Sequence, residues 1–208
     1  MATGRTGYTP PTNASPPEGP SQMADIYAWF DARLDLSVAN AAALPSTGNW
    51  TGRQAITTDY GLLYWWNGTG WKQVSPSSVR FKGSVLNGAA VAVNTNVNYS
   101  TIVEDTASGW NATNKNYVIP IPGAYLIIAA MKADTSGPGN DSMALFKNGS
   151  KVVQSPNGPS GNFTGLLLTH YEVCAAGDTL AVQFGGVPFT MQDDHPAHNN
   201  YFEVVRIA

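Results

Sequence analysis

Charge is scarce in this chain. Asp, Glu, Lys and Arg make up 12% of its 208 residues, with 14 acids, 11 bases and a formal net charge of −3. The few Lys and Arg are scattered singly, so there is no basic patch to hold a phosphate backbone, and nucleic acid is not an expected partner. Cysteine is scarcer still. Cys174 is the only one, so no intramolecular disulfide can form. Its apolar run favours a small buried hydrophobe over a reactive thiol, which needs an electropositive setting. No stretch approaches ~18 consecutive apolar residues, so no membrane insertion is expected. The first ten residues hold no apolar run, and no secretory signal is expected. The chain should therefore be made in a cytoplasm and stay there, or leave by a route that needs no signal, such as lysis.

Catalytic and metal signatures are missing as well. There is no Gly-x-Ser-x-Gly, Cys-x-x-Cys, His-Glu-x-x-His or phosphate-cradling Gly loop. No catalytic residue, metal or cofactor is assigned, and the chain is expected not to be an enzyme. Eight Asn-x-Ser/Thr triplets occur. Without a signal they reflect the abundance of Asn in turns rather than glycosylation.

What the chain does have is hydrophobic content of 43%, distributed unevenly over four segments. Residues 1–22 hold five of the 14 prolines and almost no apolar side chains. Such a stretch cannot bury enough surface to fold alone and is expected to be an extended arm held by a neighbour. Residues 23–45 read as a helix ending before Pro45. Ile26, Phe30, Leu34 and Val38 recur at four-residue steps, Trp29 and Leu36 widen the stripe, and Ser21 is a candidate N-cap. Residues 46–78 read as a small β unit and linker. Gln54–Thr58, Leu62–Trp66 and Trp71–Val74 form strands, with a turn at Asn67-Gly-Thr-Gly70. Its four tryptophans, Trp50, Trp65, Trp66 and Trp71, are expected to supply the core a mini-sheet needs rather than a ligand platform.

From Val79 to Ala208 the pattern is continuous, with strands expected near 79–85, 89–93, 98–104, 115–120, 123–132, 142–147, 151–154, 162–174, 178–185 and 200–207. Short strands divided by Gly-, Asn- and Pro-rich turns, with no helix between, indicate an antiparallel sandwich or barrel. In the longest run, Tyr125, Ile127 and Ala129 face one way, and Leu126, Ile128 and Ala130 the other. A strand apolar on both faces needs cover on both.

The order of three motifs here resembles the jelly-roll head of the complement-head/tumour-necrosis-factor superfamily. They are Val118-Ile-Pro-Ile-Pro-Gly-Ala-Tyr125, Phe146-Lys-Asn-Gly149 and Ala176-Gly-Asp-Thr-Leu180. The resemblance covers about 130 residues. It implies a homotrimer with the final strand near the threefold axis. A second resemblance lies ahead of it, in Ala43-Leu-Pro-Ser-Thr-Gly-Asn-Trp-Thr-Gly-Arg-Gln-Ala-Ile-Thr57 and Leu63-Tyr-Trp-Trp-Asn-Gly-Thr-Gly-Trp71. These look like a module of bacteriophage tail and fibre proteins. Module and head together resemble minor tail proteins of phages that infect Actinobacteria. The resemblance implies a virion protein made in the bacterial cytoplasm. Its residues 1–45 would meet other virion proteins, with Tyr8, Pro10, Pro11, Pro16 and Pro17 in the anchoring arm. The head would attach to a host-surface glycan. Capsid decoration is the alternative, and a glycan-cleaving enzyme a third reading.

Three loops are candidates for contact with a partner: 134–140, 155–161 and 189–195. Within them Asp134, Asn140, Asn157, Gln192, Asp193, Asp194 and His195 are the candidate ligand-binding residues. Loops on a rigid sandwich are where binding normally resides, and polar loops without bases suit a neutral carbohydrate. The plainer reading, that these loops are merely solvated, stands beside it. The run Asp193-Asp-His-Pro-Ala-His198 is expected to be an exposed loop together with Asn199 and Asn200, not a metal site, because Pro196 breaks any helical spacing.

Overall fold

The computed structural model describes residues 36–74, 79–85, 88–134, 140–155, 158–159, 164–186, 189–191 and 200–207. The arm, most of the expected helix, Asn157 and the 192–199 stretch lie outside these. The chain divides into two compact units, residues 1–76 and 77–208.

The first unit is a four-stranded sheet in the order β1 (Leu36–Val38), β2 (Gln54–Thr57), β3 (Leu63–Trp66), β4 (Trp71–Gln73). β1 runs parallel to β2, and the other pairs are antiparallel. Here the expected helix is corrected at its C-terminal end, where Leu36–Val38 is a strand and Ala41–Ala43 a single 3-10 turn. Leu36-Ser37-Val38 also fits a period of two, and the pairing of Leu36 with Ala55 and Val38 with Thr57 decides between the periods. The β3–β4 turn forms as expected. The Asn67 side chain accepts from the N–H groups of Thr69 and Gly70, at 3.0 and 2.9 Å, and replaces backbone bonds the turn cannot make.

The second unit is a sandwich of two sheets. Its strands are β5 (Arg80–Ser84), β6 (Ala90–Val91), β7 (Thr101–Asp105), β8 (Trp110–Asn111), β9 (Asn116–Val118), β10 (Gly123–Asp134), β11 (Asn140–Lys147), β12 (Ser150–Gln154), β13 (Gly158–Pro159), β14 (Thr164–Cys174), β15 (Thr179–Gly185), β16 (Phe189–Met191) and β17 (Tyr201–Arg206). The larger sheet runs β14-β10-β17-β5-β7, with β16 and β6 continuing from the far end of β10. The smaller runs β12-β11-β15-β9-β8. The chain changes sheet from β9 to β10, β10 to β11, and β14 to β15, so successive strands wrap around one core. This is an antiparallel jelly roll, preceded by a small β unit: the strand pattern predicts a sandwich or barrel, and the resemblance implies the jelly roll.

The core lies between inward-facing residues. Tyr125, Ile127, Ala129, Met131, Phe202 and Val204 come from the larger sheet, and Tyr117, Met143, Leu145, Leu180, Val182 and Phe184 from the smaller. Phe81 is its hub, stacked on Tyr117 at 4.9 Å and Trp110 at 5.2 Å, and edge-on to Phe202 at 5.6 Å. Such pairs add about 0.5–1.5 kcal/mol each beyond the area they bury.

Two expectations change here. Phe189–Met191, expected as part of a loop, is a strand that pairs with both β6 and β10. Asn200, expected in an exposed loop, is fully buried. Its side chain accepts from Lys132 N–H at 2.7 Å, and its carbonyl accepts from Val85 N–H at 3.0 Å. The Asn therefore satisfies backbone donors where β10, β17 and β5 meet.

Candidate assembly face

The larger sheet has one face turned away from the core, and it is not polar. Alternation along β14 buries Leu166, Leu168 and Cys174 and turns Leu167, Tyr171 and Val173 outward, 62%, 56% and 60% exposed. The register sets Ala130 beside Leu167, Leu126 beside Tyr171 and Ala124 beside Val173. On the other flank of β10, Val205 lies beside Leu126 and Tyr201 beside Ala130. Leu126, Ile128 and Ala130 are half-exposed while Tyr125, Ile127 and Ala129 are fully buried, as the double-sided apolar run predicts. The result is a largely apolar surface over three strands, interrupted beside Ile128 by Thr169 and Glu203. Surfaces of this kind mark interaction sites.

Lys132 and Glu203 also lie on this face, and most of its charge is paired toward β5 and β7. Lys82 pairs with Glu203 at 3.7 Å and lies over the Tyr201 ring at 4.7 Å, and Arg80 pairs with Glu104 at 3.0 Å. The face thus grades from apolar at β14 to paired charges at β5 and β7. Among the described residues β14 forms a ladder only with β10, which makes it an eleven-residue edge strand. A long apolar edge is usually covered in a native protein.

A polar cluster closes the gap between the sheets at this edge. Lys147, at the end of β11, donates to Glu172 Oε1 at 2.9 Å and to the Val173 carbonyl at 2.6 Å, and lies 3.4 Å from Asp178. His170 Nε2 is 3.1 Å from Glu172 Oε2. The Glu172 hydrogen bond holds the Lys147 ammonium above its ordinary pKa, and the same bond holds Glu172 below its own. Asp178 is lowered first by the Asn148 amide and then by Ala175 N–H. That turn is part of the Ala176-Gly-Asp-Thr-Leu180 motif. Burial pushes the Cys174 thiol up to about 11, so it is protonated at neutral pH, the inert state expected of it.

The three motifs have physical reasons in the structure. Asn148 and Gly149 both take positive φ, 52° and 78°, which a tight two-residue hairpin between β11 and β12 requires. The Tyr125 hydroxyl donates to the Ile121 carbonyl at 2.6 Å, bracing the corner that starts β10. In the first unit, Trp66 meets Trp71 edge-on at 5.7 Å, Trp71 Nε1 donates to the Pro45 carbonyl at 2.9 Å, and Arg53 lies over Trp50. Those contacts are packing. Trp65 is more exposed than these three.

Of the residues singled out for ligands, Asp134 is the last of β10, opposite Thr190, and Asn140 the first of β11, opposite Pro159. Both end strands at the 135–139 connection. Asn157, Gln192, Asp193, Asp194, His195 and the arm residues Tyr8, Pro10, Pro11, Pro16 and Pro17 lie outside the described residues. Leu167, Tyr171 and Val173 were not singled out from sequence. Their signal is the same as that of β10, apolar residues at both parities of one strand.

No protein-family profile matches the chain. No curated protein matches it either. Solved structures do. An Eiger TNF from S. frugiperda aligns at 16% identity and a TM-score of 0.50, over 62% of this chain and 92% of that one. The globular domain of zebrafish complement 1qA protein aligns at 10% identity and 0.44, over 62% and 93%. Murine APRIL aligns at 12% and 0.46, over 62% and 98%. At this identity the likeness to the Eiger TNF is one of fold alone, an antiparallel jelly roll.

Proposed function

We propose that this chain is a non-enzymatic structural protein of a bacteriophage virion, assembled as a homotrimer. Residues 1–45 dock it to the particle, and the jelly-roll head is displayed for attachment to a host-surface glycan. The trimer rests on the apolar face of β14, β10 and β17. That face is largely apolar, and it ends at a long edge strand that pairs only with β10 among the described residues. A threefold ring, in which one head's edge meets the next head's face, covers both at once and closes on itself. The phage origin rests on the Leu-Pro…Gly…Gly segment and the Trp-Asn-Gly-Thr-Gly-Trp turn, whose strands and turn form a discrete unit ahead of the head. The non-enzymatic reading follows from the missing catalytic motifs.

Light scattering on the purified protein tests the trimer, with an expected mass three times the 22.0 kDa of one chain. The double variant Leu167→Glu, Tyr171→Glu should run as a folded monomer, because the charges face water only when the face is open. A monomeric wild type at micromolar concentration would sink the proposal. Antibody labelling of phage particles decides where the protein sits: few copies at the tail tip support attachment, while many over the capsid replace it with decoration.

A further inference from the structure

The face of the smaller sheet turned away from the core carries an open recess of about 80 Å³. Phe146, half-buried on β11, and Ala144 give it an apolar lining. Asn94, Ser142 and Gln183 bring polar groups to the same space. Within the described residues, the Ser142 hydroxyl and the Asn94 side chain make no hydrogen bond. Gln183 uses only its Nε2, which donates to Asn96 Oδ1 at 3.0 Å and leaves its carbonyl oxygen open. Lys151, the one charged group among the described lining residues, donates to Gln154 Oε1 at 2.8 Å. Gly185 keeps the recess open, since a Cβ there would come within 2.8 Å of Ser142 Oγ. Asn94 holds a φ of 55°, a conformation Asn tolerates better than most residues.

We infer that this recess is a subsite for one ring of a neutral sugar. An aromatic side chain offers a surface to the C–H face of a pyranose, and amides and a hydroxyl can each donate to or accept from sugar hydroxyls. Among the described residues no carboxylate and no second cation lines the space, so the chemistry favours an uncharged ligand over a uronic or phosphorylated one. The inference deepens the attachment reading and rests on it for its biological meaning. It also moves the sugar site from the loops to the flat outer face of the sandwich.

The test is NMR of the side-chain amides of Asn94, Gln154 and Gln183 while the methyl glycosides of glucose, galactose and N-acetylglucosamine are added. Saturable shifts with a Kd on the order of 1–10 mM are expected for at least one of them. Phe146→Ala should weaken that binding at least about tenfold, Ser142→Tyr should abolish it by filling the recess, and Lys72→Gln on β4 of the first unit should change it less than about twofold. No saturable shift with any of the three, or shifts unchanged by Phe146→Ala, would overturn the inference. So would preference for methyl glucuronide that Lys151→Gln removes. Binding of the wild type and Phe146→Ala to a panel of actinobacterial cells separates the two readings. Sugar shifts without cell binding uphold the recess and remove attachment, whereas equal cell binding by both proteins without sugar shifts does the reverse.

Discussion

Tyr125 and Tyr99 are both buried, yet losing the hydroxyl should affect them in opposite ways. Tyr125 donates to the Ile121 carbonyl across the corner ahead of β10. Tyr125→Phe is therefore expected to cost about 1 kcal/mol and to leave that carbonyl short of a donor. The Tyr99 hydroxyl is buried with no partner among the described residues, and burial raises its pKa. Tyr99→Phe should leave stability unchanged or raise it by up to about 1 kcal/mol, since a hydrocarbon edge suits that site better. Urea midpoints at constant slope would measure both, and a matching loss in the two variants would refute this account. Gly109 makes a third case. A Cβ there would come 2.5 Å from the Tyr117 ring and 2.7 Å from the Val118 carbonyl. The carbonyl is backbone and cannot swing aside, so Gly109→Ala should lower stability by about 1–3 kcal/mol.

Between elements, the Lys147 cluster ties the end of β11 to the edge strand β14. The lowered Glu172 and Asp178 contribute stability that is present above the ordinary carboxylate pKa and lost as pH falls through their folded values. The raised Lys147 contributes stability that is present below the ordinary lysine pKa and lost as pH rises through its own. The tie is therefore intact at neutral pH and fails first on the acid side. Glu172→Gln should cost about 0.5–1 kcal/mol at pH 7, discounted for partial exposure. The gap from wild type should be smaller at about pH 3 than at pH 7, because the wild-type carboxylate loses its charge as pH falls through its lowered pKa. Denaturant melts at the two pH values would show it, and a gap that widens in acid would be the wrong sign. At this scale much of the fold was legible. Strong local patterns, such as the Pro-x-x-Gly-x-Tyr corner and the Asn-Gly turn, predict β10 and the β11–β12 hairpin nearly to the residue. What local pattern cannot show is pairing across the chain. Leu36–Val38 fits two periods, and its parallel neighbour lies some twenty residues on. Phe189–Met191 is a strand only because β6 and β10 flank it. The double-sided apolar character of β10 was readable, whereas the position of β14 at the sheet's edge depends on the whole strand order. The candidate loops were chosen for composition. Two of their residues, Asp134 and Asn140, turn out to be strand ends, and the sugar recess is built from strands that read simply as core.

For the molecule as a whole, the division into two units predicts that residues 77–208 fold without the rest. That fragment should melt in one cooperative transition, and a fragment that fails to fold alone would mean the first unit completes its core. If heads associate through the β14 face, the midpoint should also rise with protein concentration, because mass action couples folding to assembly. The open ladder of β14 then bears on how the protein is made. An unassembled head can go two ways: a ring that stops at three members, or strand-to-strand addition that has no last member. Both proceed from the same surface and differ in how steeply they depend on crowding of new chains. Copies emerging close together from one message would meet as they fold, so the geometry of synthesis itself helps decide whether a cell fills with closed rings or with fibres.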